Sequence, residues 1–95
     1  MGLIFEWDDR KAKSNLKKHG ISFEEASTAF ADNLATTIHD PEHSDDEDRF
    51  VTLGLTKRMR LVIVVFTDRG DGIRIFSARI ANARERRKYE ERDAD

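Results

Sequence analysis

The segment from residue 72 to residue 89 constrains the fold most, because a strand-forming stretch runs directly into a helix-forming one. Residues 73–76 (IRIF) are rich in β-formers, whereas alanine, arginine, glutamate and lysine dominate from Ala81 onward. Only residues 77–80 remain to form the corner between them. The segment therefore predicts a strand followed at once by a helix, with a rigid junction between the two.

Arginine recurs through this junction, at Arg74, Arg79, Arg84, Arg86 and Arg87. A guanidinium group stays charged and presents a planar fork of donors that suits phosphate. A rigid strand–helix junction can hold several such groups in place. A solvated helix face with two ion pairs at the strand end explains the same residues, since runs of charge usually are solvated faces. Both interpretations remain open on this segment alone.

The chain has 95 residues, a length that predicts one domain over residues 1–95. Apolar and charged residues each make up 38%, so we expect a small core under a densely ionic surface. The absence of cysteine excludes disulfide and thiolate chemistry and suits a reducing cytoplasm. The longest apolar run, residues 61–66, is too short to cross a bilayer, and the N-terminus lacks the features of a secretion signal. We therefore expect a cytoplasmic protein with no membrane partner.

The formal net charge of −2 is unevenly distributed. Residues 40–48 contain six of the 19 acidic residues and no lysine or arginine. The rest of the chain carries 17 lysines and arginines against 13 acids, a balance of +4. Because a polyanion responds to the local field rather than to the total charge, this bipolar pattern is compatible with a nucleic-acid partner.

The order of predicted elements gives the fold class. Helices are predicted over residues 9–19, from an Asp8 cap to a Gly20 stop, over 22–32, where Ser22 and Glu25 form a capping box, and from Ala81 onward. Strands are predicted over residues 3–7, 34–39, 49–55, 61–66 and 73–76. Residues 61–66 are apolar throughout, which is typical of a central strand. We expect a β-α-α-β-β-β-β-α domain of the α+β class with a mostly antiparallel sheet, and a frayed tail over 90–95.

Two groups of cationic residues are candidates for chemistry. Lys18 and His19 end the first predicted helix, where bases that compensate the helix dipole are also common. Arg60, Arg69, Arg74 and Arg79 lie at or near strand ends and are expected to meet at one edge of the sheet. Strand parity is a difficulty, because it places Arg74 with Phe76 and Ala78 but Arg79 with the alternate positions, Ile75 and Ser77.

A third candidate group, His39 and His43, is a weak metal site, because Pro41 between them disfavours a helix and the surrounding acids indicate an exposed loop. The sequence contains no serine–histidine–acid motif, no phosphate-cradling glycine loop and no HExxH helix. RNA supplies its own nucleophile in the 2′-hydroxyl, so positioned cations with a proton carrier are sufficient for its cleavage. His19 or a carboxylate such as Glu85 is a candidate for that carrier.

Several segments together resemble the BrnT family. The matching N-terminal positions are residues 5–8 (FEWD), Lys11, Asn15, 18–20 (KHG) and 23–26 (FEEA). The matching C-terminal positions are Arg49, Gly54, Arg60, 67–70 (TDRG), 74–79 (RIFSAR), Ala81, 84–86 (RER) and Tyr89. The resemblance covers nearly the whole chain, in order. The chain departs from it at Met59, where glycine is common, at Phe76, where an aliphatic residue is usual, and in its acidic loop over 40–48.

This resemblance implies a toxin of a type II toxin–antitoxin module with a fold similar to RelE. It implies a metal-independent endoribonuclease that needs no cofactor, cleaves RNA and inhibits translation. Its partner would be a BrnA-like ribbon-helix-helix antitoxin, in a 2:2 heterotetramer that binds operator DNA through the antitoxin and represses its own operon. The family motif positions place the active surface at Lys18, His19, Arg60, Arg74 and Arg79. His19 would shuttle protons and the arginines would contact phosphate.

Two other functions fit the same sequence. One is a non-catalytic partner subunit of a DNA-binding repressor complex, which would bind operator DNA with its partner but cleave no RNA. The other is a generic nucleic-acid-binding domain, whose weak RNA affinity would fall steeply with salt. An RNA digestion assay with and without chelator distinguishes them.

Overall fold

The computed structural model of the protein describes residues 3–43 and 47–94. Within these residues the elements follow one another as β1 (Ile4–Glu6), α1 (Asp9–His19), α2 (Phe23–Ser27), β2 (Thr36–Asp40), β3 (Arg49–Leu55), β4 (Leu61–Arg69), β5 (Gly72–Ile80) and α3 (Ala83–Ala94). Short 3₁₀ turns follow α2 and β2. The α+β class and the order of elements are those predicted from the sequence.

The five strands form one sheet in the order β1-β5-β4-β3-β2. β1 runs parallel to β5, and every other pair of neighbours is antiparallel. β4 is the middle strand, as its continuous apolar run predicts, and most of its residues are buried. The predicted mostly antiparallel sheet with a central strand over residues 61–66 is therefore confirmed.

Local sequence signals set the ends of α1. The Asp8 side chain accepts hydrogen bonds from the amides of Arg10 and Lys11, and Gly20 ends the helix with φ 73°, a conformation that favours glycine. Leu16 does not belong to the buried face of α1, since its side chain is 50% exposed. Asn15 instead faces the sheet and is buried.

Asn15 fastens α1 to β5 through three hydrogen bonds. Its amide nitrogen donates to the backbone carbonyls of Ile21 and Ala78, and its carbonyl oxygen accepts from the amide of Ala78. A buried amide whose donors and acceptor are all satisfied fixes one position of the helix on the strand. α1 is therefore anchored by a polar contact rather than by an apolar stripe.

The first face of the sheet packs against α1 and α2 and carries the main core. Ile21, Phe23, Ala26 and Ala29 are fully buried there. On the sheet side this core contains Val62, Val64, Phe66, Ile73, Ile75 and Ala78. The rings of Phe5, Trp7, Phe30 and Phe50 close its edges.

The second face of the sheet is covered by α3 at one end only. A smaller cluster of Leu61, Ala81 and Tyr89 lies there, with Leu53 and Leu55 packed against it. The Tyr89 hydroxyl donates to an Asp32 carboxylate oxygen at 2.6 Å, and the same oxygen accepts from the Leu55 amide. Tyr89 is therefore one of the side chains that join α3 to the rest of the domain.

The junction between β5 and α3 differs from the prediction. β5 continues to Ile80, so that only Ala81 and Asn82 form the corner. α3 begins at Ala83 and extends to Ala94, into the stretch for which fraying is expected. Pairing with β4 keeps residues 77–80 in the strand, since Ala78, Arg79 and Ile80 all have partners there.

A β-bulge in β5 changes which side chains share a face. Val65 of β4 pairs with Ser77, whereas the next residue, Phe66, pairs with Ile75, which leaves Phe76 as the extra residue. Arg74 pairs with Thr67 and Arg79 with Ile63, two β4 positions of the same parity. The prediction from simple alternation is thus wrong, because the bulge places Arg74 and Arg79 on the same face, the one that carries α3.

Candidate functional site

Arg60 precedes β4 and reaches the first face of the sheet. Its Nε and Nη2 donate to the two carboxylate oxygens of Glu25, and Nη2 also donates to the carbonyl of Gly20 at 3.2 Å. The Thr56 hydroxyl donates to the same carboxylate. The last bond places Arg60 directly beside the C-terminal end of α1, where Lys18 and His19 lie.

The pairing between Glu25 and Arg60 changes the titration of both groups. The hydrogen bonds from Arg60 hold the pKa of Glu25 below its ordinary value of 4.5, although burial opposes this shift. The same bonds raise the pKa of Arg60. The predicted capping box is confirmed in part: the Ser22 hydroxyl accepts from the Glu25 amide, but the carboxylate turns to Arg60 and Thr56 because they offer charged and buried donors.

Lys18 and His19 form the last turn of α1. Lys18 is exposed and His19 is partly exposed. Both follow Asn15 by three or four residues and so lie towards the side of the helix that docks on β5. The histidine is therefore held by a helix and follows a lysine directly.

Arg79 lies on the opposite face of the sheet at the same end. Its Nη1 and Nη2 donate to the two carboxylate oxygens of Glu85 on α3, each at 2.8 Å. These bonds lower the pKa of Glu85 and raise that of Arg79. Asn82 and Glu85 also cap α3 reciprocally, side chain to backbone amide in both directions.

Arg74 lies at the other end of β5. Four residues of β4 separate its partner from that of Arg79, which corresponds to about 13 Å along the strand. One of its guanidinium nitrogens is 3.7 Å from Glu6, and Arg69 also approaches that carboxylate. Arg74 is thus on the same face as Arg79 but well separated from it.

The structure therefore divides the predicted cluster. Lys18, His19 and Arg60 lie together on the first face, and Arg79 lies on the second face at the same end of the sheet. The expectation that these groups converge on a single edge is wrong for Arg69 and Arg74, which lie at the opposite end of the sheet. The bulge and the strand register cause this separation, and neither has a clear sequence signal.

Two carboxylates are central to the site, and the sequence analysis did not predict that either of them pairs with an arginine. Glu25 pairs with Arg60, which is 35 residues away along the chain. No local sequence pattern predicts that the two residues are in contact. Glu85 was predicted only as a candidate proton carrier, although an asparagine three residues before a glutamate is typical of a capping box and indicates its place at the start of α3. Both arginines therefore belong to bidentate ion pairs, a constraint on any anion that binds there.

The acidic loop lies beside the end of the sheet that carries Arg69. Glu47 approaches Arg69 at 3.3 Å and Asp48 approaches His39 at 3.1 Å, while residues 44–46 lie outside the described part of the chain. No three histidine, aspartate or glutamate side chains in the described residues form a group that could hold a metal ion. Within the same residues, no helix is long and apolar enough to span a membrane.

Comparisons with known proteins identify the family and the fold of the chain. The profile of a family described as "Ribonuclease toxin, BrnT, of type II toxin-antitoxin system" matches residues 7–85. A crystal structure of the Brucella abortus ribonuclease toxin BrnT superposes with a TM-score of 0.62 at 21% identity, covering 85% of this chain and 99% of that one. At this identity the superposition establishes the fold. No curated protein matches the sequence significantly.

Proposed function

The chain belongs to the BrnT family of ribonuclease toxins of type II toxin–antitoxin systems, and on this premise we propose that it is a metal-independent endoribonuclease that acts in the cytoplasm and inhibits translation. One observation carries the proposal. The hydrogen bond between Arg60 and the Gly20 carbonyl joins a guanidinium group to the helix end that bears Lys18 and His19. A histidine and two kinds of cation are the groups that RNA cleavage without a metal requires.

In the proposed reaction the 2′-hydroxyl of RNA loses its proton and attacks the adjacent phosphorus. The bond from phosphorus to the 5′-oxygen breaks, and that oxygen takes up a proton. His19 carries these protons, since histidine is the side-chain type that exchanges them near neutral pH. Glu85 is less suited to be the base, because its hydrogen bonds from Arg79 lower its pKa.

The cations stabilise the charge that develops on the phosphate oxygens. Lys18 is exposed and directly precedes His19, so it can meet the scissile phosphate. Arg60 and Arg79 keep N–H donors beyond those used for their carboxylates, because a guanidinium group has five. Arg74, about 13 Å from Arg79 along the sheet, contacts a phosphate elsewhere on the same strand of RNA.

The test is digestion of a single-stranded RNA by the purified protein, with and without EDTA. Cleavage that survives EDTA supports the proposal, and replacement of His19 by alanine should slow it by about 10²- to 10⁴-fold. Lys18→Ala should also slow it, whereas Lys13→Ala, the same charge change on an exposed position of the same helix, should not. No cleavage by the folded protein, or full activity of His19→Ala, contradicts it.

We further propose that a ribbon-helix-helix antitoxin of the BrnA kind holds the protein inactive in a 2:2 heterotetramer that binds its own operator. Family membership supports an antitoxin partner. Expression of the chain alone should arrest growth, and co-expression with a neighbouring reading frame of that pattern should restore it. The mass of the purified complex in solution tests the stoichiometry.

A second candidate function is a non-catalytic subunit of such a DNA-binding repressor complex. The observation that favours it is the double pairing of Arg60 with Glu25 and of Arg79 with Glu85, which neutralises both guanidinium groups. It predicts operator binding together with the partner and no RNA cleavage. The digestion assay above separates the two functions.

A further inference from the structure

We propose that Phe76, together with Lys11 and Arg49, forms a nucleotide subsite that stacks one base of single-stranded RNA. The inference rests on the proposed function, because it names how the RNA is held beyond the scissile phosphate. It concerns the second face of the sheet, at the end opposite α3.

Phe76 is an aromatic residue that the core does not use. It is the extra residue of the β5 bulge, it has no partner on β4, and it is partly exposed. It belongs to neither of the two apolar clusters, in contrast to Phe50 and Phe66, which stack on each other in the main core. Bulges often re-aim a side chain beside a functional site.

Two cations from different elements meet over this ring. The guanidinium carbon of Arg49, on β3, is 4.2 Å from the ring centroid, and the ammonium nitrogen of Lys11, on α1, is 5.1 Å from it. Both distances are within the range of a cation–π interaction. Lys11 is not paired with any carboxylate in the described residues, so its charge is available to an anion.

The combination fits a nucleotide rather than a bare phosphate. Bases stack on aromatic rings and equally on arginine guanidinium planes, so a base can stack on the guanidinium group that Phe76 holds from below. The ammonium group of Lys11 can contact the phosphate of the stacked nucleotide. Arg74, two residues before the ring on β5, adds a further cation on the same face.

The position along the sheet supports the same ligand. Arg74 and Arg79 share the second face about 13 Å apart, and Phe76 lies between them in the strand. A short single-stranded RNA can therefore contact both arginines while one of its bases stacks at Phe76 and Arg49.

The experiment measures binding rather than cleavage. Fluorescence anisotropy of a 2′-O-methyl oligoribonucleotide, which lacks the nucleophile, is compared with that of an oligomer of the same length and charge whose sites are all abasic. Phe76→Leu should weaken binding of the base-containing oligomer by about 5- to 100-fold and leave the abasic one unchanged. Phe76→Tyr, which keeps the ring, should bind both like the wild type.

Two outcomes overturn the proposal. If Phe76→Leu binds both oligomers like the wild type, no base stacks there. If the substitution weakens the binding of both oligomers equally, the ring serves only to order the cations.

Lys11→Gln should weaken the binding of both oligomers, and Lys13→Gln is the matched charge control on the same helix. Equal effects of the two substitutions would contradict a specific role for Lys11.

Folding and function are controlled separately. Should Phe76→Leu fail to fold, the wild-type protein is titrated with an oligomer that carries 2-aminopurine, whose fluorescence falls on stacking, and an unchanged signal overturns the subsite. Cleavage of unmodified RNA together with equal binding of the base-containing and abasic oligomers would overturn the subsite while leaving the nuclease function intact. Preferential binding of the base-containing oligomer without cleavage of unmodified RNA would do the reverse.

Discussion

The first face of the sheet packs against α1 and α2 and buries a continuous aromatic and aliphatic core, whereas the second face meets only α3 at one end. On the second face a cleft of about 500 Å³ remains between α3 and strands β2 and β3, lined among others by Ile38, Val51 and Tyr89. The two faces of the sheet therefore differ in role because helices cover them to different extents. The first face holds the fold together, and the second leaves cations and an aromatic ring accessible beside a rigid sheet.

The largest effect expected from this comparison is on stability. Phe23→Ala removes a fully buried ring from the first face and should lower the free energy of unfolding by about 3–5 kcal/mol. Ile38→Ala, on the second face, truncates a side chain that is 61% exposed and should cost less than about 1 kcal/mol. Urea unfolding of both variants measures the difference, and equal losses would contradict the distinction between the faces.

Asn15→Ala tests the polar anchor of the first face. The substitution leaves the amide of Ala78 and two buried carbonyls without their partner, so we expect a loss of about 2–3 kcal/mol. Ser14→Ala, an exposed position on the same helix, serves as the control and should change stability by less than about 0.5 kcal/mol. A small loss in Asn15→Ala would show that apolar packing alone fixes α1.

The third prediction concerns how the stability of the fold changes with pH. Because the pKa of Glu25 is lower in the folded chain than its ordinary value of 4.5, the carboxylate stabilises the fold above that pH, and this contribution disappears as the pH falls through the lowered pKa. Glu25→Gln should therefore be less stable than the wild type at pH 7. The two stabilities should converge below about pH 4.5.

Chemical unfolding from pH 7 down to pH 3 measures this convergence. Glu24→Gln, which alters the exposed neighbouring carboxylate, is the matched control and should change stability little at either pH. A constant difference between wild type and Glu25→Gln across the range would exclude the ion pair with Arg60 as its cause.

Tyr89→Phe tests how α3 is held on the second face. It removes the hydroxyl that donates to Asp32 but keeps the ring, and a bond to a charged acceptor of this kind contributes about 1–2 kcal/mol. Burial raises the pKa of Asp32, but hydrogen bonds from Tyr89 and from the Leu34 and Leu55 amides outweigh it and lower the pKa overall. The variant should therefore also show a higher pKa for Asp32 by NMR titration.

The smallest effect has the opposite sign. Met59, in the turn between β3 and β4, has φ 65°, a left-handed conformation that is unfavourable for residues with a side chain. Met59→Gly should stabilise the fold by about 0.5–1 kcal/mol, measured by thermal unfolding. Lys57→Gly, in the same turn but without a positive φ, should destabilise it, and a loss of stability in Met59→Gly would contradict the strain.

The features that depend on neighbours along the chain could be predicted from the sequence. The Asp8 cap and the Gly20 stop fixed α1 to the residue, and the apolar run after Arg60 identified the central strand, because both signals are local. The order of elements followed, and with it the α+β class. The family resemblance likewise rested on segments that can be seen in the sequence alone, and the matching profile over residues 7–85 confirms it.

Which charged side chains come into contact depends on the three-dimensional arrangement of the strands and helices. One inserted residue in β5 rotated Arg74 onto the face of Arg79, and strand register then set the two about 13 Å apart. The Glu25 carboxylate does not complete the predicted capping box but pairs with Arg60, 35 residues away. A buried carboxylate is stabilised most by a charged partner. Long-range pairing depends on the register and twist of the whole sheet, and no local pattern in the sequence encodes it.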